Sequence, residues 1–204
     1  MKYLAISILT CTLIVKHSTY GSEKPLAEQI VSMAKEKITT TEFYTGDLAG
    51  QIVNIAKEKK LTIATAESCT GGMISSALTE IPDSSSIFGY GFVTYENKAK
   101  EKLLGVKHIT LEKYGAVSEE TAKEMALGAL KNSNANIAVA VTGIAGPAGG
   151  STEKPVGLVY IAVARDDGVK VIKNNFQGDR EAVRLATTKK ALELVLAALE
   201  NEIK

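Results

Sequence analysis

The run Leu61-Thr-Ile-Ala-Thr-Ala-Glu-Ser-Cys-Thr-Gly-Gly72 sets the architecture. A short apolar segment, Thr62 to Ala66, meets two glycines and then a helical pattern from Gly71 to Glu80, which predicts a strand turning sharply into a helix. Downstream the same alternation recurs. Strands are expected at Phe88 to Tyr95, Asn136 to Thr142, Gly157 to Ala164 and Lys170 to Phe176, and helices at Asn97 to Leu104, Glu119 to Leu130 and Arg180 to Leu199. Strand runs separated by helices predict a layered α/β domain. The last two strands are joined only by Arg165-Asp-Asp-Gly168, which reads as a hairpin, so the sheet is expected to be mixed. Ser118 is a good N-cap, with Glu119 and Glu120 in the first turn and Ala122, Met125, Ala126 and Ala129 along one face. The final helix carries Leu185, Leu192, Val195 and Leu199 on one stripe and closes the domain against the sheet.

Upstream lies a local duplication. Leu26-Ala-Glu-Gln-Ile-Val-Ser-Met-Ala-Lys-Glu-Lys37 is nearly repeated as Leu48-Ala-Gly-Gln-Ile-Val-Asn-Ile-Ala-Lys-Glu-Lys59, each an amphipathic helix with its charges gathered at the C-terminal end. Only the second copy runs into the first strand. Residues 22–46 are therefore expected to be an appended helix and linker, Thr39 to Gly46 being the linker, and residues 47–204 the main domain. The appended copy is expected to pack on the surface or on a partner subunit, consistent with a homo-oligomer. At the start of the chain, Lys2 precedes the apolar run Tyr3 to Val15, too short to span a membrane stably but shaped like a secretory signal. Residues 1–21 are read as that signal, with export to the periplasm expected if they are removed and a cytoplasmic location otherwise.

Composition excludes several classes of function. With 24 Lys+Arg against 23 Asp+Glu, no Trp and 5% aromatic residues, the chain lacks both the basic footprint and the stacking platform of a nucleic-acid binder. Cys11, Cys69, His17 and His108 offer no metal-ligand spacing, so no metal is expected.

Chemistry concentrates in three segments. At Ala66 to Gly72 the glycines let backbone N–H groups approach a ligand, and Ser68 sits where a nucleophile would be exposed. At Phe92-Val-Thr-Tyr95-Glu-Asn-Lys-Ala-Lys100 a strand again runs into a helix; neither histidine is placed to serve Ser68, and a desolvated lysine, Lys98 or Lys100, is the alternative base. Tyr95 is either a member of the same site or an ordinary strand residue. The third segment, Thr142-Gly-Ile-Ala-Gly-Pro-Ala-Gly-Gly150, has four glycines and a proline after a buried strand, a ligand loop or a plain connection that matches neither the dinucleotide fingerprint nor the P-loop.

Taken together, Ala66 to Gly72, Phe92 to Tyr95, Ala99-Lys100, Gly115-Ala-Val-Ser118, Thr142 to Pro147, Glu153-Lys-Pro-Val-Gly157 and Gly178-Asp-Arg180 resemble the C-terminal domain family of the competence/damage-inducible protein CinA, over about residues 48–200. The resemblance implies a three-layer α/β/α sandwich. Stand-alone members of the family are nicotinamide-nucleotide amidases, which implies hydrolysis of the carboxamide of nicotinamide mononucleotide to nicotinate mononucleotide and ammonia, with no cofactor. It further implies Ser68 as nucleophile, Lys100 as base and Tyr95 as a third member. Thr70, Gly71 and Gly72 in the turn, with Thr142, Gly143 and Arg180, fall on the substrate-binding side, Arg180 toward the phosphate. Ala148 stands where many relatives carry Asp and Glu96 where Ser is common. The competing expectations are a nucleotide-binding or regulatory module without turnover, and a general amide or peptide hydrolase using Ser and Lys.

Overall fold

The computed structural model describes residues 26–201. The signal read at 1–21 lies outside them. The chain divides into two units at Phe43/Tyr44, and everything functional described below belongs to the second, Tyr44–Lys204.

Its sheet has five strands, β1 (Ile63–Glu67), β2 (Phe88–Val93), β3 (Ile137–Gly143), β4 (Leu158–Arg165) and β5 (Gly168–Asn175), in the order β2-β1-β3-β4-β5. β1 pairs in parallel with both β2 and β3, while β3–β4 and β4–β5 are antiparallel, so the sheet is mixed. The hairpin was legible because Arg165 pairs with Gly168 across a two-residue turn. Central β1 and β3 are buried on both faces, and their near-continuous apolar runs reflect it.

Helices cover both faces: α1 (Leu26–Lys59), α2 (Met73–Thr79), α3 (Asn97–Leu104), α4 (His108–Tyr114), α5 (Glu119–Ser133) and α6 (Arg180–Leu199). The two faces differ in side-chain size. One carries Ala64, Ala66, Ala138, Ala140, Ala162 and Ala164, and there α5 packs through Ala122, Met125, Ala126 and Ala129. Small against small lets that helix approach the sheet closely. The other face carries Ile63, Ile137, Val139, Val141, Val159, Ile161 and Val163, and takes α2, α6 and the C-terminal part of α1 through Ile52, Ile74, Leu78, Leu192 and Leu199. Full burial of each such aliphatic side chain contributes about 1.5–3 kcal/mol before entropy is set against it. This is a three-layer α/β/α arrangement.

The Ser118 cap read from sequence is present, its Oγ accepting from Thr121 N at 3.2 Å. A second cap, not read from sequence, starts α6, where Asp179 Oδ1 accepts from Ala182 N at 2.9 Å. Gly128 has a local reason: a Cβ there would meet the Leu104 carbonyl, where α3 crosses α5.

Two elements differ from expectation. α1 is continuous from Leu26 to Lys59, so the segment read as a linker at Thr39 to Gly46 is helical. It contains no proline, and its single glycine costs a helix only about 1 kcal/mol. The side chains of residues 30–44 lie outside the description, and with them the packing of the first copy. α4 was not anticipated, because its N-cap, Lys107, offers no side-chain cap. Its start is satisfied from another helix instead: Glu124 of α5 accepts from Lys107 N at 2.8 Å and from Thr110 Oγ1 at 2.9 Å. Among the described residues no helix is long and apolar enough to cross a membrane.

The topology positions the site. Glu67 is in register with Val93 on one side and Val141 on the other, so the chain leaves β1, β2 and β3 at one end of the sheet. Crevices outside the carboxyl ends of parallel strands are where α/β proteins bind ligands.

Candidate active site

β1 ends on Glu67, whose side chain points to the larger-residue face and is fully buried. Its two oxygens accept five hydrogen bonds, from Thr70 Oγ1 (2.7 Å), Gly72 N (2.9 Å), Ile74 N (3.1 Å), Ser75 N (2.9 Å) and Ser75 Oγ (2.7 Å). The turn to α2 is thus wound around one acidic side chain, with Gly71 and Gly72 at φ 64° and 105° where side chains would be strained. On the opposite side, Arg184 of α6 donates from Nε to Cys69 O at 3.2 Å and from Nη2 to Thr70 O at 2.8 Å. Neither Glu67 nor Arg184 was assigned a role from sequence. Glu67 stood inside the quoted motif, whereas Arg184 looked like an ordinary helix cation.

Ser68 and Lys100 meet inside this frame. Lys98 is exposed and Lys100 is only 1% exposed, two positions apart and so on nearly opposite sides of α3. Lys100 Nζ lies 3.2 Å from Ser68 Oγ, 2.9 Å from Thr94 O and 3.4 Å from Tyr95 O. A neutral amine has two N–H donors and one lone pair. The two carbonyls match the donors, and the serine hydroxyl is left to donate to the lone pair. Burial lowers the Lys100 pKa, with the nearby Cys69 acting in the opposite direction, so the neutral form is more accessible than in an ordinary solvated lysine.

Cys69, next to the serine, is 4% exposed. Burial pushes its thiol up to about 11, its own backbone N–H working against that and Glu67 adding to it. At neutral pH it is a thiol, a poor nucleophile. His108 is exposed and bound to Glu101 and Glu112, which raise its pKa, and no hydrogen bond joins it to Ser68 or Lys100.

A cavity of about 220 Å³ opens over this pair, lined among others by Ser68, Tyr95, Asn97, Lys100, Thr142 and Arg180. Gly143 lines it too, and it must be glycine because a Cβ would fall 2.5 Å from Val159 Cγ2. Thr142 contributes a wall rather than a free hydroxyl, since its Oγ1 donates to Ala116 O at 2.7 Å. Arg180 donates to Gly146 O at 2.8 Å and to the Tyr95 hydroxyl at 3.0 Å. Tyr95, 61% exposed, therefore reaches the base only through its main-chain carbonyl. Thr70, Gly71 and Gly72 are not among the cavity's lining residues: the Thr70 hydroxyl and Gly72 N–H are engaged by Glu67, and Gly71 N–H by Ser68 O at 3.1 Å. These engaged groups hold the turn in shape. Ala148 and Glu96 are exposed and outside the cavity lining. Asn97 is a lining residue that sequence reading passed over, since nothing in its neighbourhood distinguishes it from a helix-start asparagine.

Comparison with known proteins gives one family. The model of the CinA C-terminal domain matches residues 45–199. A nicotinamide-nucleotide amidohydrolase PncC of Enterobacter agglomerans is 56% identical over 135 residues, 66% of this chain and 82% of that protein. A competence-damage inducible protein of Acetivibrio thermocellus is 48% identical over 171 residues, 84% of this chain but 41% of the relative. The chain thus spans less than half the length of the competence-damage relatives it matches. Among solved structures, the competence/damage inducible protein CihA from Agrobacterium tumefaciens superposes with a TM-score of 0.75 at 51% identity, covering 77% of this chain and 96% of that one.

Proposed function

This chain belongs to the CinA C-terminal domain family, and from that premise we propose that it hydrolyses the carboxamide of nicotinamide mononucleotide, releasing ammonia and nicotinate mononucleotide by a Ser/Lys mechanism. The observation that carries the reading is the buried Lys100 Nζ, 3.2 Å from Ser68 Oγ, with two carbonyls accepting hydrogen bonds from it. Among the described residues no carboxylate forms an ion pair with it. Burying an uncompensated amine is costly, and a module that only binds nucleotides has no use for it. The likeness to an amidohydrolase named for nicotinamide nucleotides supplies the substrate.

Ser68 gives its proton to neutral Lys100 as Oγ attacks the carboxamide carbon. The Ser68 carbonyl is turned toward Gly71 N–H, so the trans peptide turns the Cys69 N–H the other way, and this N–H serves the oxyanion. Collapse of the tetrahedral intermediate breaks the C–N bond, and the proton on Lys100 passes to the leaving nitrogen, which departs as ammonia. Water then attacks the acyl ester, giving its proton to Lys100, which returns it to Ser68. Arg180, at the cavity wall, is suited to the nucleotide phosphate because its fork can meet two oxygens.

Ammonia release from nicotinamide mononucleotide by the purified protein is the direct test. No release under conditions where the protein is folded would overturn the substrate assignment. Replacing Arg180 by Ala should raise KM for the nucleotide by about 10-fold or more, the worth of a charged hydrogen bond, and change KM for the phosphate-free riboside far less. Equal changes would place Arg180 elsewhere on the ligand.

The pH dependence follows from the sign of the Lys100 shift. Protonated Lys100 has no lone pair for Ser68, so kcat/KM should rise with pH and level off above the folded-state pKa, on a limb below the ordinary lysine range. Because the native state gives up this proton before the unfolded chain does, this group's contribution to stability rises with pH between the folded-state pKa and the ordinary lysine value, above the point where the activity limb levels off. A limb at or above the ordinary lysine value would remove Lys100 as the base.

A further inference from the structure

We propose that Arg184 is a positioning residue for the transition state, aiming the Cys69 N–H at the oxyanion through the peptide groups that follow Ser68; this rests on Ser68 being the nucleophile. Arg184 is half-buried on α6, whose start is fixed by the Asp179 cap and by buried Val183. Among the described residues no carboxylate forms an ion pair with it. It spends its donors on two consecutive main-chain carbonyls, Cys69 O and Thr70 O. A planar guanidinium bound in this way fixes two peptide planes at once.

Each peptide is planar and trans, so a held carbonyl dictates the direction of the N–H in the same plane. Ser68 O is held by Gly71 N–H, and Cys69 O and Thr70 O by Arg184, so three successive carbonyls are fixed. Beyond them Glu67 fixes the N–H groups of Gly72, Ile74 and Ser75. Of the N–H groups from Cys69 to Ser75, those of Cys69, Thr70 and Met73 are left over, and among the described residues no acceptor of another residue takes any of them. Cys69 itself lines the cavity. Preorganised N–H donors are worth most where charge develops during reaction and little in the ground state. Arg184 therefore acts on the rate of the chemical step. Arg180, one helical turn earlier, reaches the Gly146 carbonyl and Tyr95 hydroxyl, so one helix serves the ligand wall and the back of the nucleophile turn.

The test uses the full chain with Arg184→Met and Arg184→Lys. Arg184→Met should lower kcat for ammonia release about 10- to 100-fold, less than deletion of an oxyanion donor outright, with KM changed less than about 3-fold. The pH limb should stay where it is, because the Ser68–Lys100 contact does not involve Arg184. Arg184→Lys, which keeps the charge and one donor, should recover part of the rate, and it carries the test if the Met variant fails to fold. A role confined to stability would lower the melting temperature and leave kcat of the folded protein intact; that result overturns the proposal.

A second readout needs no natural substrate. A fluorophosphonate phosphonylates the serine as Ser68 O–P forms, P–F breaks, fluoride leaves and the proton passes to Lys100, with the phosphoryl oxygen at the oxyanion position. Labelling of Ser68 should slow in Arg184→Met by a factor similar to kcat, and equal labelling rates overturn the proposal. If the unmodified chain is labelled but does not deamidate the nucleotide, the substrate reading fails and the labelling comparison alone decides Arg184. If it is neither labelled nor active, Ser68 is no nucleophile and both readings fall.

Discussion

Ser68→Ala and Lys100→Met each lower ammonia release by at least about 10³-fold, and the double variant loses little more than either alone. That is the expected result, because the two side chains serve one proton transfer, and groups acting as a unit are far from additive. Removing Ser68 leaves Lys100 Nζ bonded to Thr94 O and Tyr95 O with nothing to deprotonate. Removing the amine leaves a serine hydroxyl at its ordinary, unreactive acidity. Cys69→Ala, in contrast, retains most of the rate, since a thiol pushed up to about 11 is protonated at working pH. Assays of the four folded variants, with circular dichroism to establish folding, check this. Substantial turnover by Ser68→Ala would remove the serine mechanism and make Cys69 the candidate.

The second large effect is on stability. Glu67→Ala leaves five donors around an empty, fully buried site: Thr70 Oγ1, the N–H groups of Gly72, Ile74 and Ser75, and Ser75 Oγ. Each unsatisfied buried donor costs about 1–3 kcal/mol, less whatever water recovers by entering. A loss of at least about 3 kcal/mol is therefore expected, a large part of the margin of a domain this size. Glu67→Gln should also destabilise, because its amide NH2 replaces one acceptor oxygen among groups that all donate. Thermal or urea unfolding of the two variants measures both. A loss below about 1 kcal/mol in Glu67→Ala would mean that the turn to α2 is held by its backbone and by Arg184, with the acid incidental.

Much of the fold could be read locally. Apolar runs gave all five strands to within a residue or two: β1, β3 and β4 are central and apolar on both faces whatever their neighbours, and the edge strands β2 and β5 still carry β-branched or aromatic residues. Ser118 and Asp179 start α5 and α6 by capping their own first turns, and such interactions lie within four residues. The α4 helix escaped because its start is satisfied by Glu124, which is distant in sequence. The continuity of α1 through Thr39 to Gly46 escaped for a different reason: weak helix formers without a proline are compatible with either state.

At the site the division is similar. By itself the sequence identified a serine at a strand-to-helix turn, the lack of a placed histidine and two lysines that could replace it. Its choice of Lys100 over Lys98 came from family resemblance, since helical spacing says only that the two face different ways. The folded chain distinguishes them by burying Lys100 beside Ser68, Thr94 and Tyr95 and leaving Lys98 in water. It also engaged the Thr70 hydroxyl and the Gly72 N–H in the frame around Glu67, drew the Tyr95 hydroxyl to Arg180, and brought Arg184 to a turn more than a hundred residues away. Sequence specifies which groups a segment offers and how its own backbone is satisfied; desolvation and long-range pairing depend on what the rest of the chain packs against it, and only the folded molecule determines that.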